Sequence, residues 1–427
     1  MILAVFLISI FTFLFLGIPV AFSILLTVLT MAEASGVTSY EIVPSYLYSG
    51  VNNFALLAIP FFVFCGDLMT AGDLSKGIVE FCRVLLGHVR AGIGYAAILA
   101  CMIFAALTGA AVVTISAIGG IMLPIMIKEG YDAADSTACV CAGSITGPII
   151  PPSLPMVIFG VLSGASVTRM FIGGVVPGVI TGLVCMLAWY FMNKNKNYAL
   201  KPKATPQEIW TAFKKAFPAL MMPVIMMGGI LSGIFTPTEA GVVACVYAWV
   251  VSTFLYKKMN MKTLKRVAIA SAKSTAVIML IVAACQALAM VITVARIPQA
   301  IAAAISSVSS NPLVVMCLIN LFVLIVGLFM DVTPALTILT PIFLPIVTDI
   351  GMDPIVFGVT MVYGLCIGLI TPPVGNVLYI GIGISKITLL DLLKKIWPMV
   401  VLYIAVLFLM TVVPELITFL PNLFAGA

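Results

Sequence analysis

The sequence predicts an all-α polytopic membrane protein built from two inverted-topology repeats, and three observations carry that prediction. The first is composition: of 427 residues, 63% are hydrophobic and 8% charged, with a mean hydropathy of +1.26. A soluble domain covers its surface with roughly 25% charged residues. A chain this poor in charge is solvated by a lipid bilayer and not by water. The second observation is where the 21 Lys and Arg fall, and the third is an internal repeat with a constant offset.

Long apolar stretches predict spans near 54–72, 134–166, 170–192, 217–234, 238–256, 270–293, 354–385 and 396–420. Residues 1–32 form one hydrophobic run broken at Gly17-Ile18-Pro19, without the basic start or cleavage site of a signal peptide. The repeat described below predicts two short spans there with the N-terminus periplasmic; a single tilted helix is the alternative.

Two basic clusters set the orientation. The linker Asn193–Lys215 carries Lys194, Lys196, Lys201, Lys203, Lys214 and Lys215, and the second cluster is Lys257, Lys258, Lys262, Lys265, Arg266 and Lys273. Two spans separate them, so they share one face, which the positive-inside rule makes cytoplasmic. Extending that topology places every Lys and Arg inside except Arg169 and Arg296. It also requires residues 92–128 and 312–349 to enter and leave on the same side, as re-entrant hairpins.

The run from Leu123-Pro124 to Gly130-Tyr131-Asp132 matches the run from Leu344-Pro345 to Gly351-Met352-Asp353, an offset of 221. The register holds without a gap through Gly143/Gly364, Gly147/Gly368, Pro151-Pro152/Pro372-Pro373, Gly160/Gly381 and Pro177/Pro398. The chain therefore divides into halves 1–210 and 211–427. Each half has an amphipathic arm (73–90; 294–310), a hairpin (92–128; 312–349) and a broken span (134–166; 354–385). Five crossings per half is odd, so the halves insert with opposite topology. Inverted repeats are a transporter architecture, with the substrate near mid-membrane at the repeat interface.

The arm 73–90 places Leu74, Ile78, Phe81, Val84 and Leu85 on one face, away from Lys76, Glu80 and Arg83, the pattern of a helix lying in the membrane interface. Rigid arms at both surfaces would hold a moving hairpin-bearing unit against a fixed frame.

The chemistry falls at the hairpin tips and span breaks. The first tip is Thr108-Gly109 to Thr114-Ile115-Ser116, and the second is Asp331-Val332-Thr333 to Thr337. The breaks run from Gly143-Ser144-Ile145-Thr146-Gly147 to Pro151-Pro152-Ser153, and from Gly368 through Thr371-Pro372-Pro373 to Gly375-Asn376. Each proline removes an amide donor and frees a carbonyl one turn back. Unpaired backbone in hydrocarbon costs several kcal/mol per group, so it survives where it lines a polar cavity or meets a ligand. Carbonyls and hydroxyls together make a hard oxygen cage for a small cation, and half-helix N-termini present donors to a carboxylate.

That reasoning assigns cation binding to Thr108, Gly109, Thr114, Ser116, Gly143, Gly147, Asp331, Thr333, Thr337, Gly368, Thr371 and Gly375. It assigns substrate binding to Ser144, Thr146, Ser153, Asp331 and Asn376. A kink with hydroxyls bonded to the preceding turn is the structural alternative. Asp331 is open to cation binding, substrate contact, titration or N-capping of the second hairpin arm. Glu239, after Thr236-Pro237-Thr238, reads as a helix cap, and Asp67 as solvated or bonded to a neighbouring helix.

Other functions fit less well. No glycine-rich phosphate loop is present. The ten cysteines are scattered without a Cys-x-x-Cys pair, and Cys139 and Cys141 read as apolar packers. His88, the one histidine, lies among Arg83 and Arg90, which suits a solvated or headgroup-facing position and not catalysis. No Ser/His or paired-Asp arrangement supports an intramembrane enzyme, and the net charge of +6 follows from topology without a nucleic-acid partner. An ion channel would need a continuous pore and no substrate-coupled ion movement.

Several motifs together resemble the large membrane subunit of tripartite ATP-independent periplasmic (TRAP) transporters, the DctM-like family. They are Gly119-Gly120-Ile121-Met122-Leu123-Pro124, Gly143 to Pro155, Thr236-Pro237-Thr238-Glu239-Ala240-Gly241, and Gly368 to Asn376. The resemblance covers essentially the whole chain. The family's first tip often reads Gly-Ser-Ser; here Gly109-Ala110-Ala111 shifts any hydroxyl role to Thr108, Thr114 and Ser116.

The resemblance implies sodium-coupled import of a carboxylate-bearing organic acid across the bacterial inner membrane by an elevator-like motion, with two or more Na⁺ and no organic cofactor. It implies two protein partners besides lipid and substrate: a small four-span membrane subunit and a periplasmic substrate-binding protein. Sialic acid is the single substrate chosen, with dicarboxylates in the same family. The rival reading is a self-sufficient organic anion/Na⁺ symporter that needs no binding protein.

Overall fold

The computed structural model describes residues 2–36, 41, 43–196, 198, 202–309 and 311–424; Lys201 of the first basic cluster lies outside them. Among the described residues there is no β-strand, and eight helices are long and apolar enough to cross a membrane. The opening apolar run is two helices, α1 (Ile2–Phe15) and α2 (Val20–Ser35), packed against each other. Gly17 turns the chain at φ +77°, and Pro19 precedes the first turn of α2. Two helices, as the repeat predicts, are found here in place of a single tilted one.

One group of helices surrounds α14 (Met261–Val294), whose 34 residues reach about 51 Å. Against it pack α2, α3 (Val43–Val51) and α4 (Ala58–Ala71), and α4 packs on α13 (Pro237–Val250), which adjoins α12 (Pro206–Leu231). The Asp67 carboxylate on α4 accepts from Ser271 Oγ on α14 at 2.6 Å, so the neighbouring-helix reading of Asp67 holds. Glu239 caps α13: its carboxylate accepts from Thr236 N at 2.8 Å while Thr236 Oγ1 accepts from Glu239 N.

The second group contains both hairpins and both broken spans. The first hairpin is α6 (Gly92–Thr108), a turn, α7 (Ala111–Thr114), a π turn at Ile115–Gly119, and α8 (Gly120–Lys128). The broken span follows as α9 (Ala133–Ser144) and α10 (Leu154–Ser163), then the long α11 (Val167–Asn193). The second half repeats the order: α16 (Pro312–Gly327), α17 (Val332–Asp349), α18 (Pro354–Gly368), α19 (Asn376–Ser385) and α20 (Leu389–Val412). The helix after each break packs on the other half's hairpin: α10 on α17, and α19 on α7 and α8. Gly381 on α19 makes room for α9, since a Cβ there would lie 2.6 Å from Cys141 Sγ.

Cys139 and Cys141 are fully buried free thiols facing different neighbours, at 3.7 Å from the carbonyls of Gly94 and Val377 respectively. Ionic contacts gather the ends assigned to the cytoplasm. Asp135, 1% exposed on α9, pairs with Lys196 beyond α11 and with Lys395 Nζ on α20 at 3.1 Å. Arg83 reaches Glu129 at 3.3 Å.

Three expectations need correction. The span at 217–234 belongs to a helix that begins eleven residues earlier, inside the supposed linker. Thr205 and Glu208 form a capping box there, the Glu208 carboxylate accepting from the Thr205 amide at 2.7 Å and from its hydroxyl at 2.9 Å. The stretch 396–420 is not one helix. Val413 leaves helical geometry (φ −119°, ψ 75°) before Pro414, which disfavours the α region for its predecessor, and α21 (Glu415–Leu423) packs separately against α11.

The third correction concerns the first arm, the helix α5 (Leu74–Leu86), which buries Leu74, Ser75, Ile78, Val79 and Cys82; Phe81 and Val84 are half-buried and Leu85 is exposed. Packing from two sides, by α6 and α12, rotates the buried face away from the simple amphipathic stripe. The second arm is α15 (Ile297–Val308).

Candidate functional site

Each hairpin tip sits on the break of its own half. At the first, Gly109 turns at φ +62°, and a Cβ on it would lie 2.5 Å from the Pro152 carbonyl and 3.3 Å from Leu154 N. A Cβ on Gly147 would lie 2.8–2.9 Å from the backbone of Ala110 and Ala111. Backbone packs on backbone here, so only glycine fits both surfaces. At the second, a Cβ on Gly368 would lie 2.1 Å from the Gly327 carbonyl, and Val374 N donates to Leu328 O at 3.2 Å.

The breaks are built by missing amides. Pro148, Pro151 and Pro152 interrupt the first, leaving a turn in which Ile150 N reaches Thr146 O at 2.8 Å. Ser153 restarts the helix: its Oγ accepts from Met156 N at 3.3 Å and donates to the Pro148 carbonyl. In the second, Gly375 at φ +37° starts α19, and its carbonyl accepts from Leu378 N at 2.8 Å. Both Pro-Pro bonds, Pro151–Pro152 and Pro372–Pro373, are cis. Four helix N-termini therefore begin at these tips and breaks, those of α7, α10, α17 and α19, and their dipoles favour an anion.

The hydroxyls bond locally. Thr108 donates to Phe104 O (3.2 Å), Thr114 to Ala110 O (2.9 Å), and the two hydroxyl oxygens lie 3.4 Å apart. Ser144 donates to Cys141 O, Thr146 to Gly143 O and Thr371 to Ile367 O, each at 2.7 Å. Thr337 donates to both Pro334 O (2.9 Å) and Thr333 O (3.1 Å). The back-bonded alternative is therefore met at every one of these side chains. A hydroxyl whose proton points at a carbonyl keeps oxygen lone pairs for a cation, so the bond leaves the ligand role physically available.

Asp331 caps α17: Oδ1 accepts from Val332 N at 2.7 Å, and Oδ2 lies 3.5 Å from Asn376 Nδ2, at the outer limit of a hydrogen bond. Its side of the tip is exposed. The cap uses one carboxylate oxygen and leaves the other facing the start of α19.

Not every expected residue joins these clusters. Gly143 faces α6, its Cβ direction 3.4 Å from Cys101 Cβ, which is close helix packing. Ser116 is exposed on the π turn and bonds to Val112 O at 2.8 Å. Sequence reasoning missed Gly327 and Leu328, which receive the second break, and Asp135 with its two lysines. Gly327 ends an apolar helix just before the tip, which is a readable signal for close approach. The apolar cavity of about 430 Å³ lies elsewhere, between α1, α15, α16 and α17.

Comparison with known proteins places this architecture. The family profile described as tripartite ATP-independent periplasmic transporter, DctM component, matches residues 7–416. A putative TRAP transporter large permease protein of Haemophilus influenzae is 42% identical, over 94% of this chain and 95% of that protein. The 2,3-diketo-L-gulonate TRAP transporter large permease protein of Escherichia coli is 40% identical over the same shares. The sialic acid TRAP transporter large permease protein of Vibrio cholerae is 34% identical, over 97% of each chain.

Among solved structures, the YdaH transporter of Alcanivorax borkumensis superposes with a TM-score of 0.61, 13% identity, and coverage of 87% and 86% of the two chains, a likeness of fold alone. The chain belongs to the DctM family, as a large permease component of a tripartite ATP-independent periplasmic transporter.

Proposed function

We propose that this permease imports an organic acid anion across the bacterial inner membrane, coupled to sodium, by moving the hairpin-bearing group of helices against the frame built on α4, α12, α13 and α14. The observation that carries the proposal is the pairing of each tip with its own break. In each pair, hydroxyl or carboxylate oxygens stand beside helix N-termini, which suits a small cation next to an anion. The matched order of elements in residues 1–210 and 211–427 supports two inverted repeats. The concentration of Lys and Arg supports a periplasmic N-terminus and cytoplasmic linkers.

The word tripartite and the relatives support two further partners, a small permease subunit and a periplasmic binding protein. A relative of Oleidesulfovibrio alaskensis, named an isethionate permease protein DctMQ, is longer than this chain, which covers 65% of it. The substrate belongs to the acids named for relatives, and the diketogulonate and C4-dicarboxylate acids stand beside sialic acid in that set.

The test is uptake into proteoliposomes holding this chain and its small subunit, with and without an inward sodium gradient and the binding protein, over a panel of those acids. Uptake of one acid that requires both sodium and the binding protein is expected. Uptake with sodium but without the binding protein would favour a self-sufficient symporter, and uptake indifferent to sodium would remove the coupling.

A further inference from the structure

We propose that a cavity between α5, α12 and the segment 255–258 that follows α13 binds the headgroup of an anionic phospholipid from the inner leaflet; the choice of leaflet rests on the orientation given under Proposed function. The cavity has a volume of about 470 Å³, and its wall includes Lys76, Lys214, Lys215 and Lys258 with the carboxylates of Asp73 and Glu80. The lysines come from three separate segments: the arm, the third turn of α12, and the chain that follows the π turn Val251–Leu255 after α13.

Among the described residues their charges are incompletely paired. Asp73 is shared by Lys76 Nζ at 2.8 Å and Lys258 Nζ at 3.9 Å, Glu80 takes Lys215 Nζ at 2.9 Å, and Lys214 Nζ lies 5.4 Å over the Trp210 ring. Four ammonium groups against two carboxylates leave a net of +2 in one concavity. Converging cations of this kind at the cytoplasmic end of membrane helices suit acidic headgroups.

The rim supplies the other half of the ligand. Tyr256 donates its hydroxyl to Lys215 O at 2.7 Å and so fixes one wall. Leu255, in the wall next to Tyr256, and its neighbour Phe254 are each 63% exposed, and the exposed Trp210 lies under Lys214 Nζ. A free phosphate would use the lysines and leave this apolar shelf bare; a phospholipid uses both. Because α5 precedes the first hairpin, a lipid seated here bridges the arm to the frame helix α12.

The experiment uses the full chain in detergent, titrated with dioleoyl phosphatidylglycerol or dioleoyl phosphatidylcholine, with retained lipid counted by native mass spectrometry. The wild type is expected to retain phosphatidylglycerol in preference. Lys76→Gln/Lys214→Gln/Lys258→Gln is expected to weaken that retention by about tenfold or more, as three lysines leave the headgroup's vicinity.

The control Lys262→Gln/Lys265→Gln/Arg266→Gln removes equal charge from the start of α14 and is expected to retain the lipid. Lys214→Gln alone, which leaves the three ion pairs intact, is expected to weaken retention about threefold with an unchanged thermal transition, so a folding defect in the triple variant does not hide the answer. Equal loss in both triple variants, equal retention of phosphatidylcholine, or displacement of the lipid by millimolar inorganic phosphate would each overturn the proposal.

Discussion

At the first tip-and-break pair the side chains beside the turn are Thr108 and Thr114, two hydroxyls 3.4 Å apart. At the second they are Asp331 and Asn376, a carboxylate with one oxygen used as a cap and an amide 3.5 Å from the other. The backbones do the same thing in both places, pressing a glycine against a peptide group. The two places differ in charge. If each pair holds a monovalent cation as proposed, neutral oxygens would leave the first pair net positive, whereas Asp331 would neutralise the ion at the second. An anionic substrate would then be drawn more by the loaded first pair, and the second would hold its ion more tightly.

The largest effects test what the pairs share. Gly368→Ala and Gly147→Ala put a Cβ 2.1 Å and 2.8 Å from backbone atoms that cannot rotate away. Displacing a site by about 1 Å costs on the order of a hundredfold in rate, so sodium-driven uptake in both variants is expected to fall at least that far. Gly182→Ala also meets a close atom, Met102 Sδ at 2.1 Å, but that is the far end of a flexible side chain. Uptake there is expected to stay within a few-fold of wild type. Equal losses at all three positions would show that the breaks are merely tight packing.

The next effect separates the pairs. Asp331→Asn keeps a capping side chain at the start of α17 and removes the charge. A hydrogen bond or contact to a charged group is worth about 1.5–3 kcal/mol, which at 1.4 kcal/mol per decade is about a ten- to hundredfold rise in the sodium concentration for half-maximal uptake. Thermal stability should change little. Wild-type sodium dependence in this variant would reduce Asp331 to its capping role.

Thr108→Val and Thr114→Val remove neutral ligands at the first pair and are expected to shift sodium dependence less, by about three- to tenfold, in line with the 0.5–1.5 kcal/mol net of a neutral hydrogen bond. Should these valines outweigh Asp331→Asn, the assignment of the tighter ion to the second pair is reversed.

How much of this was readable before the fold depends on whether the signal was local. The hairpins and breaks were readable because Pro151-Pro152, Pro372-Pro373 and the flanking glycines act on their own backbone, and because one offset aligned them. The capping box at Thr205 and Glu208 and the interruption at Pro414 were equally local signals that apolar-run reading passed over.

The side chains that define the pairs were less readable, since their partners come from elsewhere in the chain. Nothing in the offset marks Gly327, because position 106 of the first half is an alanine. Gly143 was grouped with the break by sequence proximity, yet it faces α6. The buried face of α5 was set by α6 and α12 together, which no single-helix pattern records.

Asn376 gives the smallest and most selective test. It sits at the first turn of α19 with its amide directed at Asp331 Oδ2, and 3.5 Å is too long for that contact to hold the carboxylate in place. If the amide is there for a substrate, Asn376→Ala should raise the substrate concentration for half-maximal uptake by about three- to tenfold, the range of one neutral hydrogen bond. Sodium dependence and the maximal rate should hardly move. If the amide instead tunes Asp331 for its ion, the shift appears in sodium dependence and not in substrate dependence. Measuring both curves on the one variant therefore decides whether the second pair belongs to the cation alone or is shared with the anion.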